Sequence, residues 1–176
     1  ARHYSPISAY LTQDNAVLAI QGTDWDDGGS IYEAIQAVGY YRSEDISSNT
    51  LGLTAVTAIY SESNVMRFLN DGHVLYIARG KYNSNNFRIS GHATVIVGYT
   101  AEYSNGSLIY SFVIYDPWPN EQPYPWDSPQ ATDGTVEIKL YQQICDENAG
   151  YGNTWVWEQT VAVATAYSSD TISPRV

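Results

Sequence analysis

The chain has 176 residues, 44% hydrophobic and 15% charged, which is enough for one sizeable core and fits a single domain over residues 1–176. A net charge of -11 argues against nucleic-acid phosphates and anionic membranes as partners, since Lys and Arg supply that affinity. No apolar run reaches the length of a bilayer span, and 16 Tyr and 5 Trp beside 2 Lys suggest the polar-aromatic surface of a secreted or cell-surface protein.

In chain order, the pattern predicts a helical first third and a β-rich remainder. Thr12 can cap a short helix over 13–20 that Gly22 ends. Asp24, Asp26 and Asp27 follow at a turn. Hard carboxylate oxygens suit calcium, but the spaced ligands and distal Glu of an EF-hand loop are lacking, which favours a solvated turn over a metal site. Ser30 and Glu33 have capping-box spacing and open a helix to about residue 38. Residues 53–59 fit strand or helix equally. Ser61 can cap a helix holding Val65, Phe68 and Leu69, which stops at Asn70-Asp71-Gly72. Strands are expected at 74–79, 92–100, 108–116, 135–143 and 154–166. A proline-rich loop, 117–129, carries Trp118, Tyr124 and Trp126.

The pair that points to chemistry is His92 and Asp116. Two β-rich runs flank Asn105-Gly106, a dipeptide that readily adopts the positive φ angles of a tight hairpin. If that turn closes the hairpin, imidazole and carboxylate arrive at the same open end, on one face if the register allows. A carboxylate there fixes the imidazole tautomer and stabilises its protonated form, as a general base requires. Gly91 removes a side chain beside His92 and leaves room for a backbone or a substrate. Stiffened by its prolines, the following loop can wall a peptide groove with Trp118 and Trp126. His3 and His73 are isolated, and no zinc-ligand spacing joins them to His92.

The string Gly91-His92-Ala93-Thr94-Val95-Ile96-Val97-Gly98-Tyr99, a turn, then Tyr115-Asp116-Pro117-Trp118 resembles the C-terminal half of papain-like cysteine peptidases, especially bacterial staphopain-like and bacteriocin-leader-processing groups. Leu11 to Val17, Gly28 to Tyr40 and Asn64 to Ile77 are similar to the family's intervening helices and the strand before its His. The resemblance implies His92 as base, Asp116 as orienting residue and Trp118 as a shield over their hydrogen bond; Gly91 and Trp126 are expected at the substrate from the local reading above. It also implies an α+β, papain-like fold with N-terminal helices packed on a curved antiparallel β-sheet.

The family's nucleophilic Cys, on a long helix after an oxyanion-stabilising Gln, has no counterpart here. Ala1-Arg2-His3-Tyr4 reads like the last turn of that helix, so the Cys-bearing segment is expected upstream or on a companion chain. Cys145 is the only thiol. A related, permuted group of cysteine peptidases has the chain order His, Asp, Cys; resemblance to it would imply His92, Asp116 and Cys145, with Gln142 or Gln143 as oxyanion donor and a helix starting at the Cys. The acidic, turn-rich Asp146 to Gly152 does not predict one, and its carboxylates disfavour a thiolate. The expectation is therefore the base-and-orienter portion of a secreted thiol peptidase acting on peptide or protein. It would use no cofactor and would be inactive alone. The alternative is a non-catalytic papain-like module for extracellular binding or assembly.

Overall fold

The computed structural model describes Glu33, Gln36 and residues 53–116, 135–163 and 171–172. Within these, β1 (Leu53–Val56) and β2 (Ile59–Tyr60) lead to helix α1 (Glu62–Asn70). Then come β3 (Leu75–Tyr82), β4 (Arg88–Ser104), β5 (Ser107–Asp116) and β6 (Thr135–Leu140). A short helix α2 (Tyr141–Cys145), β7 (Asp146–Gly150), β8 (Asn153–Val163) and β9 (Thr171–Ile172) complete the order.

The expected α+β class does not hold for these residues. Nine strands stand against two helices, and the main sheet is antiparallel with seven strands, so the class is β-rich. The cause lies in two long runs. Residues 88–116 and 153–163 are dense in β-branched and aromatic side chains, which suit a pleated sheet, and only Gly-containing turns interrupt them. Of the helices expected before residue 40, Glu33 and Gln36 are helical; the remaining positions lie outside the described residues. The ambiguous 53–59 segment resolves as β1 and β2.

The sheet runs β1, β8, β3, β4, β5, β6, with β7 pairing β8 on the same side as β1. From the β6 edge, α2 crosses to the β7 edge and touches β5, β6, β7 and β8 on the way. Lys139 of β6 and Glu147 of β7 meet at 2.8 Å, so the outer strands curl toward each other around a concave inner face. On that face lie Leu75, Ile77, Ile96, Phe112, Ile114 and Trp157, closed over by Val65 and Phe68 of α1 and by Tyr141, Ile144 and Cys145 of α2. Among the described residues no helix is long and apolar enough to cross a membrane.

Helix α1 follows Ser61, whose carbonyl accepts from the Val65 amide at 2.9 Å, although the Ser61 hydroxyl makes no capping bond. It ends where Gly72, at φ +79°, lets the His73 amide turn back to the Phe68 carbonyl. At the Asn105-Gly106 turn, φ angles of +49° and +81° match a type I′ hairpin joining β4 to β5.

Candidate functional site

Along the inner face, four adjacent strands change character in the same direction. β3 goes from Ile77 to Arg79 to Lys81, and β4 from Ile96 through Thr94 to His92. Likewise β5 passes from Phe112 and Ile114 to Asp116, and β8 from Trp157 to Trp155. Cross-strand pairing places them side by side: Arg79 opposite His92 and Trp157, Lys81 opposite Trp155, Ile96 opposite Ile114. The apolar core thus grades into a polar end of the same concave surface.

His92 and Asp116 meet at that end. Imidazole Nε2 lies 2.8 Å from Oδ1 and 2.9 Å from Oδ2 of Asp116, with the two side chains 13% and 17% exposed. An ionised carboxylate only accepts, so Nε2 carries the proton and, in the neutral ring, Nδ1 carries the lone pair. That is the polarity a base needs.

A single extra residue creates this meeting. From the turn, pairs run from Ser104 with Ser107 to Gly98 with Val113; then the register shifts and continues as Ile96 with Ile114 and Val95 with Tyr115. Val97 is the bulge residue. Side chains alternate along a strand, so an unbroken register would send His92 to the face opposite Asp116. The bulge reverses the phase and brings Thr94, Ile96 and His92 onto the core face.

Gly91 does not belong to this surface. It pairs with Gly80 on the outer face, and a Cβ added there would lie 2.6 Å from the Arg88 guanidinium. The room both glycines leave holds an ionic cluster. Arg88 Nε and Nη2 donate to Glu158 at 3.1–3.2 Å, and the Tyr82 hydroxyl donates to the same carboxylate. That hydrogen bond is the main reason the Tyr82 phenol is raised above its usual pKa. Trp118 and Trp126 lie outside the described residues, as do Asp24, Asp26, Asp27 and His3. His73 sits just after α1, away from the pair. Among the described residues no group of three His, Cys, Asp or Glu is placed to hold a metal ion.

Cys145 is 2% exposed and packed in the core as the last residue of α2. A thiolate is favoured at the start of a helix, not its end. Gln143 caps the start of the same helix by accepting from the Leu140 amide at 2.8 Å. After Cys145 the chain forms β7, where a loop was expected, and Glu147 of that strand takes a central place on the inner face.

Residues that the sequence did not single out surround the pair. Trp155 has its ring centroid 6.1 Å from that of His92, tilted by 55°. Arg79 Cζ and Lys81 Nζ lie 5.9 and 5.6 Å from the Trp155 ring centroid. Arg79 is 6% exposed and donates through Nη2 to Glu147 at 2.9 Å, while Lys139 reaches Glu147 and Glu137 at 2.8 Å. Burial alone would raise the Glu147 carboxyl, but the hydrogen bonds and charges of Lys139 and Arg79 outweigh it and hold the pKa below its usual value. The signal for Arg79 was its two-residue spacing from Ile77, which puts it on the core face. An expected strand end at residue 79 left Lys81 out of that pattern. Trp155 could be placed only through the pairing of β8 with β3.

The sequence matches no protein-family model and no curated protein.

Proposed function

We propose that His92 and Asp116 are the general base and its orienting carboxylate for hydrolysis of peptide bonds by a thiol nucleophile. The observation that carries this reading is the contact of Nε2 with both Asp116 oxygens, which leaves Nδ1 as the basic nitrogen. A thiol presented to Nδ1 would lose its proton to the ring. The thiolate attacks the peptide carbonyl, and the imidazolium returns the proton to the departing amine. Water then hydrolyses the acyl-enzyme with the same base.

Cys145 is the only thiol in residues 1–176 and is packed in the core. The attacking thiol would therefore come from sequence beyond these residues or from a companion chain. The likeness of 91–118 to the His and Asp strands of papain-like cysteine peptidases supports the reading, and it rests on that segment rather than on the layout of the domain. Secretion, from the polar-aromatic composition, is part of the same proposal.

A second reading, a non-catalytic binding module, draws on β6. Its outer side chains Val136, Ile138 and Leu140 are exposed, an apolar stripe of the kind partners cover.

The deciding experiment is a peptide-library digest by the full gene product. Cleavage that is lost on His92→Ala and on thiol alkylation is expected. Cleavage that survives His92→Ala, or no cleavage of any member, would overturn the peptidase reading and favour the module.

A further inference from the structure

Lys81 occupies an unusual position for a cation in this chain. The protein has 19 Asp and Glu against 8 Lys and Arg. Arg79, Arg88 and Lys139 each hold a glutamate, and Arg67 donates to Asn64. Among the described residues Lys81 alone of the Lys and Arg side chains makes neither a hydrogen bond nor an ion pair. It is half-buried, and its Nζ faces the Trp155 ring on the same surface as His92.

Three further polar atoms on this surface are buried and lack a hydrogen-bond partner: Arg79 Nε, Thr94 Oγ1 and Thr135 Oγ1. Each adjoins the pair. Arg79 is the cross-strand partner of His92, Thr135 that of Asp116, and Thr94 follows His92 by one inward step. Arg79 and Thr94 are more than nine-tenths buried. A buried donor without an acceptor costs about 1–3 kcal/mol, so such donors are normally met by an ordered water or a ligand. The two hydroxyls can donate or accept, but Arg79 Nε can only donate, and the Lys81 ammonium that shares the Trp155 ring adds a positive charge. A group that meets both is rich in acceptors and negative.

We infer that the inner face beside His92 contains a carboxylate-binding subsite, in which Lys81 is the contacting cation, Trp155 the wall and Arg79 the deeper donor. The occupant is the carboxylate of a peptide, borne by an acidic side chain or by its C-terminus. Cation over indole fixes Lys81 without neutralising it, so the ammonium is held ready for an anion. Arg79 keeps its Nη2 on Glu147 and has its Cζ 5.9 Å from the Trp155 ring that Lys81 also faces, with Nε buried and unpartnered. On the same face Glu137 and Glu147 are taken up by Lys139 and Arg79, and Asp116 by His92, so no described carboxylate there competes for Lys81.

The inference assigns a specificity to the reaction site proposed above and rests on that reading for the word substrate, but binding alone reads it out. With two lysines in the chain, ¹³Cε-lysine labelling gives two side-chain signals, for Lys81 and Lys139. The probes are N-acetylglutamic acid α-amide, with a side-chain carboxylate, N-acetylalanine, with a terminal one, and neutral N-acetylalanine amide. A carboxylate probe is expected to shift Lys81 and the Trp155 indole while leaving Lys139 in place. Lys81→Met should weaken it at least tenfold, and Lys81→Arg should restore most of the affinity. The stronger of the two carboxylate probes identifies the source. Equal shifts with the neutral amide, movement of Lys139 alone, or unchanged affinity in Lys81→Met would overturn the subsite. Carboxylate binding combined with cleavage that survives His92→Ala would keep the subsite and remove the peptidase; the reverse pair of results would do the opposite.

Discussion

Arg79 of β3 donates to Glu147 of β7 at 2.9 Å across the intervening strand β8, so the deepest cation of the inner face is anchored from the far edge of the sheet. Lys139 reaches the same carboxylate from β6. One glutamate thus ties together three strands that are not hydrogen-bonded to one another.

Glu147→Gln should therefore destabilise the domain by about 2–3 kcal/mol, toward the lower end for a buried pair losing one partner because Glu147 is partly exposed. The pH dependence has a definite sign. The folded carboxyl is held below its unfolded value, so its contribution is fully present above about pH 5 and is lost as pH falls through the folded pKa. Urea midpoints measured from pH 7 to pH 3 should drop less steeply in Glu147→Gln than in the parent. Parallel pH profiles would show that the network adds nothing to stability.

The hairpin was legible in the sequence because its signals are local. Asn105-Gly106 specifies the turn and alternation specifies the strands on either side. The meeting of His92 and Asp116 was legible only as proximity, since a face depends on register and nothing in the residues around Val97 announces a bulge. Glu147 was hidden for a different reason: its acidic, Gly-containing segment has the composition of a loop, and it becomes a strand through pairing with the aromatic β8. Likewise, two helices could be expected before residue 40, but composition there does not reveal that the described residues from 53 onward are organised chiefly around one curled, seven-stranded sheet.

Deleting Val97 should separate the pair. An unbroken register turns His92, Thr94 and Ile96 away from the face that holds Asp116, Ile114 and Phe112. Removing Ile96 from the core should cost about 2–5 kcal/mol, the range of a large-to-small core substitution. The checks are urea unfolding and the His92 ring signals. A deletion variant within about 1 kcal/mol of the parent that keeps the His92 contact would refute the phase argument, taking that size of effect as the threshold for a core change.

Gly91→Ala should leave the His92 environment unchanged and cost less than about 1 kcal/mol, because its Cβ meets only the tip of Arg88, a half-exposed and flexible side chain. Gly80→Ala should cost more. Its Cβ would overlap the Glu158 carboxylate, which Arg88 and Tyr82 hold in place. The Tyr82 phenol should then titrate lower, since its hydrogen bond to Glu158 is the largest cause of its upward shift. Ultraviolet titration of the tyrosines and thermal unfolding read both effects. Disturbed His92 signals in Gly91→Ala would return that glycine to the site.

Asp116→Ala tests the orienting role directly. The carboxylate holds the proton on Nε2, so the parent ring, when neutral, should give ¹⁵N shifts of the Nε2–H tautomer with Nδ1 unprotonated. Without Asp116 the ring should sample both tautomers and its two nitrogen shifts should converge. Losing this hydrogen bond to a charged group should lower stability by about 1.5–3 kcal/mol. In the full gene product the fall in peptide cleavage should be larger, on the order of 10²–10⁴, because a mis-set tautomer directs its proton at the nucleophile instead of its lone pair. The comparison separates chemistry from folding: a variant that keeps the Nε2–H tautomer, or loses stability and cleavage in the same small proportion, would reduce Asp116 to a structural end of β5.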